Sequence, residues 1–325
     1  MLRRNSGLAQ RMRGARPGPA HLLHHAALAS GKVAIDTTHR VSGGRVMADK
    51  VAFITGGASG IGAAFAKQLA GRNTEVILAD RQLGLAEEIA AAIRQSGAEA
   101  TAVELDVRDA SQFEQVVDDT IGRTGRIDYL FNNAGIGVGG AILGYTLPDW
   151  YDVFDVNLRG VAHGIQAVYP VMCRQGSGHI INTASMAGLL PTGEAASYAA
   201  TKHAVVGLSK SLRIEAKEHG VKVSALCPGA IRTPILTTGK YGRLNLKEGA
   251  ETKVMELWEH VRPMNVDVFA RKALRDIERN KPIIIVPSFW KAFWWLERFS
   301  PNVSLWLWGK VYGHFRDELE PYRLP

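Results

Sequence analysis

Short apolar runs alternate with amphipathic stretches along most of the chain. Residues 51–54 are apolar, and a glycine-rich turn then leads into AAFAKQLAGRN, whose spacing predicts a helix ending near Gly71. EVILAD is a second apolar run ending at Asp80, and LAEEIAAAIRQSG is amphipathic with Gly97 placed as its C-terminal cap. AEATAVELDV, ending at Asp106-Val107, and SQFEQVVDDTIGRTG repeat the unit, and IDYLFNNAG is a fourth strand. The spacing predicts one long helix over 150–174, a fifth strand at HIINTAS, a helix over 197–219 and a sixth strand at KVSALC. The polar, Gly-containing start of 236–263 suits a lid, Val254, Leu257, Trp258 and Val261 mark a helix suited to covering a pocket, VDVFARKALRDIERNK is another helix, and PIIIVP a seventh strand. Apolar strands alternating with helices across short links predict an α/β class: a single doubly wound domain with a seven-stranded parallel sheet. That domain covers 47–288, between an extension (1–46) and a Trp-rich tail (289–325).

The first strand, its turn and its helix form a phosphate-binding context. In Thr55-Gly56-Gly57-Ala58-Ser59-Gly60-Ile61-Gly62, glycines let the backbone approach a pyrophosphate, and the helix N-terminus presents N–H groups to it. Gly56, Ser59, Gly60, Ile61 and Gly62 are the candidate contacts. Asp80, 18 residues beyond Gly62, can accept both hydroxyls of an adenosine ribose and repels a 2′-phosphate. Ser59 stands where a basic residue would favour the phosphorylated cofactor. Both features favour NAD over NADP, whereas Arg81 could swing onto a 2′-phosphate and keeps NADP as the alternative. Asp106 and Val107 stand where an adenine edge could lie. Asn132, Asn133, Ala134 and Gly135 end a strand and suit a crevice wall.

Tyr198 and Lys202 are four residues apart in an Ala-rich helical run, so phenol and ammonium share one face. A cation beside a phenol favours phenolate, which makes Tyr198 a candidate acid–base group near neutral pH. Ser185 offers a hydroxyl just beyond a strand end.

These pieces, in this order and spacing, resemble the short-chain dehydrogenase/reductase family: TGGASGIG at 55–62, Asp80, NNAG at 132–135, Asn157 in DVNLRG, Ser185, YAATK at 198–202 and CPGAIRTP at 227–234. The resemblance spans about residues 48–290 and implies a Rossmann fold and hydride transfer between nicotinamide and an alcohol or ketone. It implies that Tyr198 is the general acid/base and that Ser185 steadies the substrate oxygen. Lys202 would hold Tyr198 ionised, helped by the charge of the oxidised ring, and would bind the nicotinamide ribose. Asn157 would anchor a water reaching Lys202. Pro228, Gly229, Ile231 and Thr233 would border the nicotinamide, with Thr233 at its carboxamide. It further implies a homodimer or homotetramer built through the helices at 150–174 and 197–219. A regulator that has lost catalysis is the competing reading, but all four catalytic positions are filled.

Composition changes this picture little. Residues 1–46 hold eight of the 39 basic and one of the 31 acidic residues, so +7 of the net charge of +8 belongs to the extension. The body, with 31 bases against 30 acids, gives no reason for a nucleic-acid partner. Cys173 and Cys227 fit no metal or disulfide spacing and read as reduced thiols of a cytoplasmic protein. No metal site is expected. The Arg-rich extension reads as a disordered or non-native segment, with an organellar transit peptide as the alternative.

The tail carries five of the seven tryptophans: Trp290, Trp294, Trp295, Trp306 and Trp308. Lys291, Glu297, Arg298 and Pro301 interrupt it too often for a spanning helix. Three readings stand: packing on protein, peripheral membrane contact through 289–308, or a lid over an oily pocket. The last two suggest a lipophilic alcohol or ketone such as a steroid, retinoid or long-chain compound.

Overall fold

The computed structural model describes residues 48–236 and 241–323; readings made of residues 1–46, and of 237–240 in the polar segment after Leu236, lie outside the described residues. The chain opens with β1 (Lys50–Thr55), α1 (Gly60–Ala70), β2 (Thr74–Asp80), α2 (Leu83–Gln95), β3 (Ala100–Glu104), α3 (Ala110–Thr124) and β4 (Tyr129–Asn132). A short β5 (Gly137–Gly139) precedes α4 (Leu147–Phe154), α5 (Gly160–Gln175), β6 (Gly178–Thr183), α6 (Ala196–Ala216) and β7 (Val221–Pro228). Then come β8 (Gly242–Leu244), α7 (Ala250–His260), α8 (Val266–Glu278), β9 (Ile283–Val286), α9 (Trp290–Phe299) and α10 (Pro301–Leu319).

Seven strands form one parallel sheet in the order β3-β2-β1-β4-β6-β7-β9. The order reverses between β1 and β4, which opens a crevice at their carboxyl ends. Alternate strand residues feed two cores. Val51, Phe53, Ile77 and Ile180 point to the face covered by α3, α5 and α6. Ala52, Ile54, Leu78 and Ile181 point to the face covered by α1, α2 and α8. Both faces are buried, which is why these strands read as continuous apolar runs.

The structure departs from the sequence expectation in four places. The helix expected over 150–174 starts earlier, at Leu147, where the Thr146 N–H donates to Asp149 Oδ2 at 2.8 Å. It also opens into a π-helical turn at Asp155–Arg159, with Asn157 inside it. Two bonds hold that turn open: Asn157 Oδ1 accepts from the Ile136 N–H, and Asn157 Nδ2 donates to the Ile136 carbonyl, each at 2.9 Å. The third strand stops at Glu104, so Asp106 and Val107 lie in the following turn. β5 and β8 pair in a separate two-stranded ribbon among glycines that carry no apolar pattern. A Cβ on Gly242 would lie 1.7 Å from the Gly137 carbonyl oxygen, so that approach requires glycine. Finally, the tail is a helical hairpin, α9 against α10, packed within the same compact unit as the sheet. Among the described residues no helix is long and apolar enough to cross a membrane.

Candidate active site

The turn between β1 and α1 is shaped by close packing. Gly56 has φ +65°, and a Cβ on Gly62 would stand 2.1 Å from the Gly56 carbonyl oxygen. Thr55 Oγ1 accepts from the N–H groups of Asn133 (2.9 Å) and Ala134 (3.0 Å), tying β1 to the end of β4. Asn133 spends its amide on the same junction, donating to the Thr55 carbonyl at 3.1 Å. The first turn of α1 carries no acidic side chain, and Ser59 makes no side-chain cap, so its N–H groups suit a phosphate. At the end of β2, Asp80 Oδ2 accepts from the Ala58 N–H (3.1 Å) and Oδ1 from the Gln82 N–H (2.9 Å). These bonds fix the carboxylate at the mouth of the turn. Arg108 pairs with Asp106 and holds its carboxyl below the usual range.

Every cofactor-side residue named from the sequence, except Gly62 and Asn132, lines one cavity of about 530 Å³; Asn132, read as part of the crevice wall, is buried in the core and donates to Asn182 Oδ1 at 2.9 Å. Gly62 packs beneath the turn instead. Ser185, Tyr198 and Lys202 line the same cavity. Ser185 caps the short helical turn after β6, its Oγ accepting from the Ala187 N–H at 3.1 Å. α6 delivers Tyr198 and Lys202; the Lys202 Nζ lies 5.4 Å from the centre of the Tyr198 ring and donates to the Thr183 carbonyl. Asn157 is fully buried behind this group and does not line the cavity. A Cβ on Gly135 would stand 3.3 Å from Asn157 Oδ1 and 3.6 Å from Lys202 Nζ, which sets this glycine directly against both groups.

Burial dominates the electrostatics. It pushes the Tyr198 phenol above its ordinary value, while a hydrogen bond from Ser185 pulls the other way. It also lowers Lys202 to about 8. The sequence spacing suggested a phenol shifted down by its lysine; with protein groups alone, desolvation is the larger effect. Cys227, at the end of β7, is a buried neutral thiol beside this cluster, pushed up to about 12 by burial. His179 is likewise a core group, lowered to about 3 by burial and bonded through Nε2 to Ser224 Oγ at 2.8 Å.

The outer wall of the cavity comes from α7, whose spacing suited a helix covering a pocket, and from α10 in the tail, whose role the sequence left open. α7 contributes Val254, Leu257 and Trp258, and Val261 follows at its C-terminal cap. α10 contributes Trp308, Val311, Tyr312, Phe315 and Leu319, residues not named from the sequence except Trp308. Val254, Leu257 and Leu319 form a small core of their own between the two helices. Trp290 stacks on Trp308 with ring centres 6.1 Å apart and nearly parallel planes. Trp290 also lies over Gly229, where a Cβ would be 2.2 Å from its Nε1. Polar ties close the rim: Lys253 pairs with Glu318 at 2.7 Å, and Arg323 pairs with Glu194 in the loop between Ser185 and Tyr198.

Residues 50–241 match the family model described as short chain dehydrogenase. The chain is 40% identical over 191 residues to levodione reductase from Leifsonia aquatica, covering 58% of this chain and 72% of that one. A short-chain dehydrogenase/reductase from Burkholderia phymatum, solved with NAD, superposes with a TM-score of 0.71 at 30% identity, covering 79% of this chain and 95% of that one. A short-chain dehydrogenase from Sphingobium yanoikuyae, solved with NADPH, gives 0.65 at 26% identity, with coverages of 82% and 96%. With the parallel sheet, the glycine turn and the Ser185, Tyr198 and Lys202 cluster in place, the chain belongs to the short-chain dehydrogenase/reductase family, as an oxidoreductase acting on alcohol and ketone groups.

Proposed function

We propose that this enzyme transfers hydride between NAD(H) and an uncharged, lipophilic secondary alcohol or ketone. One observation carries the reading: Ser185, Tyr198 and Lys202 share a single cavity with the glycine turn and with a largely hydrocarbon wall from α7 and α10. The charged groups on the substrate side, Glu194 and Arg243, are already paired, with Arg323 and with Asp149 and Asp152. A substrate carboxylate or phosphate would find no unpaired counter-charge there among the described residues. Levodione reductase, by its name, acts on a neutral ketone.

The residues present fit a dinucleotide. The first turn of α1 would hold the pyrophosphate, Asp80 the adenosine ribose, Asp106 and Val107 the adenine edge, and Lys202 the second ribose. Ile231 and Thr233 would meet the carboxamide. A dinucleotide held there would supply the hydride chemistry. The protein handles the proton. Ser185 holds the substrate oxygen, and Tyr198 removes the hydroxyl proton in oxidation or returns it in reduction. Because burial alone raises Tyr198, ionising it requires positive charge at its side, and Lys202 is placed to supply it. Asn157 acts behind this group by holding the Ile136 loop and the π-turn in register.

The test is a panel of lipophilic alcohols and ketones followed by nicotinamide absorbance with both cofactors. Turnover with NAD exceeding that with NADP supports the proposal. Preference for NADP would transfer the cofactor role to Arg81, and no turnover across the panel would overturn the catalytic reading. We also propose a homo-oligomer through α4, α5 and α6, where Leu147, Tyr151 and Ile214 stand 65%, 58% and 78% exposed. Sedimentation velocity of a monomer would refute it.

A further inference from the structure

The α9–α10 hairpin is apolar on both sides. Its inner side supplies Trp290, Trp308 and the cavity wall. Its outer side presents Phe289, Trp295, Phe299, Val303, Leu305 and Trp306 to solvent, Phe299 at 80% and Trp306 at 64% exposure. No α9 residue is buried, and α10 buries only Ser304 and Leu319. Single exposed apolar side chains are ordinary. Six within one short hairpin, with Trp295 and Phe299 ring-stacked at 5.6 Å, form a patch that soluble monomers rarely leave bare.

Charge indicates what covers it. From 289 to the end of α10 the bases are Lys291, Arg298, Lys310 and Arg316 against Glu297, Asp317 and Glu318; Asp317 pairs with Arg316 and Glu318 with Lys253, so the part of the hairpin up to 311 carries the excess, three bases against Glu297. Arg298 lies over the Trp294 ring at 5.6 Å, which places a cation at the margin of the aromatic cluster. A two-fold contact between copies would set this patch against a second patch of the same net positive charge. An anionic lipid surface supplies the opposite charge together with an apolar layer for the rings, and aromatic side chains with basic neighbours suit that boundary.

We propose that the outer face of α9–α10 seats in the headgroup layer of an anionic bilayer. The hairpin lies in the interface and does not cross it, in keeping with its interrupted hydropathy. The same two helices roof the active-site cavity, so docking holds that roof against the phase where a lipophilic compound is concentrated. This last consequence rests on the substrate class proposed above; the membrane contact does not.

The test sediments the full-length protein, with NAD present, against vesicles of phosphatidylcholine alone and of phosphatidylcholine with phosphatidylglycerol. Partition onto the anionic vesicles is expected. The double variant Phe299→Glu with Trp306→Glu should lose ~10-fold or more of it, since two inserted rings become charged. Lys291→Glu with Arg298→Glu should abolish the preference for anionic lipid. Both pairs lie outside the catalytic machinery, so thermal melting and turnover of a water-soluble ketone report folding and the active site in the same preparations. The basic residues 1–46 are common to all these proteins, so any difference between variant and parent reads the hairpin. Equal partition of variant and parent overturns the proposal, as does a parent that pellets with neither vesicle. A glutamate variant whose solution mass falls to that of a smaller oligomer, with vesicle binding unchanged, would instead make the patch an interface between copies and also overturn it. Failure of catalysis with lipophilic substrates, alongside intact vesicle binding, would count against the substrate reading alone.

Discussion

The Lys202 ammonium donates to the Thr183 carbonyl at 2.8 Å, the last residue of the strand that leads to Ser185. This single bond ties the lysine on α6 to the strand end that positions the serine. The cluster is buried enough to raise the Tyr198 phenol, so oxidation, which needs phenolate, should accelerate as pH rises through neutrality and stop rising above about 8, where Lys202 loses the charge that favours phenolate. Ketone reduction needs the phenol proton and should hold steady near neutrality, then fall at high pH. Replacing Tyr198 by Phe should reduce both directions by about 10²–10⁴ and flatten the remaining profile. The check is kcat/KM against pH in both directions; an oxidation optimum on the acid side, or near-normal turnover by Y198F, would refute the acid–base role.

Lys202 also predicts a pH-dependent stability. Its folded pKa of about 8 lies below the ordinary 10.5 because burial penalises the ammonium. Below about pH 8 both folded and unfolded chains carry the proton. Between 8 and 10.5 only the unfolded chain binds it, so folding becomes more favourable as pH rises through that window. The variant K202M lacks this contribution, while Tyr198 and Cys227 are common to both proteins. The unfolding free energy of the parent minus that of K202M should therefore rise across the window, by on the order of 3 kcal/mol. Urea titrations at a series of pH values measure it, and a flat difference would show that the ammonium is not desolvated.

The proposed preference for NAD makes Asp80 the residue on which cofactor choice should turn. Its two oxygens are fixed by the Ala58 and Gln82 N–H groups, which leaves the carboxylate facing the cavity without freedom to turn away. Replacing it by Ala removes both the ribose acceptor and the charge that repels a 2′-phosphate, while Arg81 beside it remains exposed. The ratio of kcat/KM with NAD to that with NADP should fall ~10-fold or more in D80A. An unchanged ratio would remove Asp80 from the binding site.

How much of this was readable in advance depends on whether a feature leaves a side-chain pattern. The sheet did: strands buried on both faces, such as Val76 to Ala79 in β2, must be apolar at every position. The glycine turn and the Tyr198–Lys202 pair did as well, because their chemistry demands residue types at fixed spacing. The π-turn at Asn157 left none, since one extra residue per turn shifts the apolar period too briefly to register. The β5–β8 ribbon is three residues on each side, half of them glycine, too short to set up an alternating pattern. Spacing placed Lys202 next to Tyr198 but said nothing of their burial, which decides the direction of both pKa values. The tail announced itself by its tryptophans. Which of them would face the cavity depended on how α10 crosses α7, a tertiary relationship that residues such as Val311 and Phe315 do not encode locally.

That crossing yields the last prediction. Trp308 and Val311 line the cavity from α10, far in sequence from the reacting groups. They should therefore affect how substrate is held and leave the proton transfer alone. Trimming Trp308 to Ala removes apolar wall and should raise KM for a bulky lipophilic substrate by ~10-fold or more, with kcat for a small ketone little changed. Because W308A also strips the stacking partner of Trp290, its loss could be partly structural, on the scale of about 3–5 kcal/mol for a large-to-small core change. Val311→Trp separates the two causes by working in the opposite sense. Val311 is 37% exposed, so a larger side chain there can be accommodated without overpacking the hairpin, yet it narrows the cavity. V311W should exclude bulky substrates and keep small ones, at unchanged melting temperature. If the size preference is the same in the parent, W308A and V311W, α10 is not a wall of the substrate site.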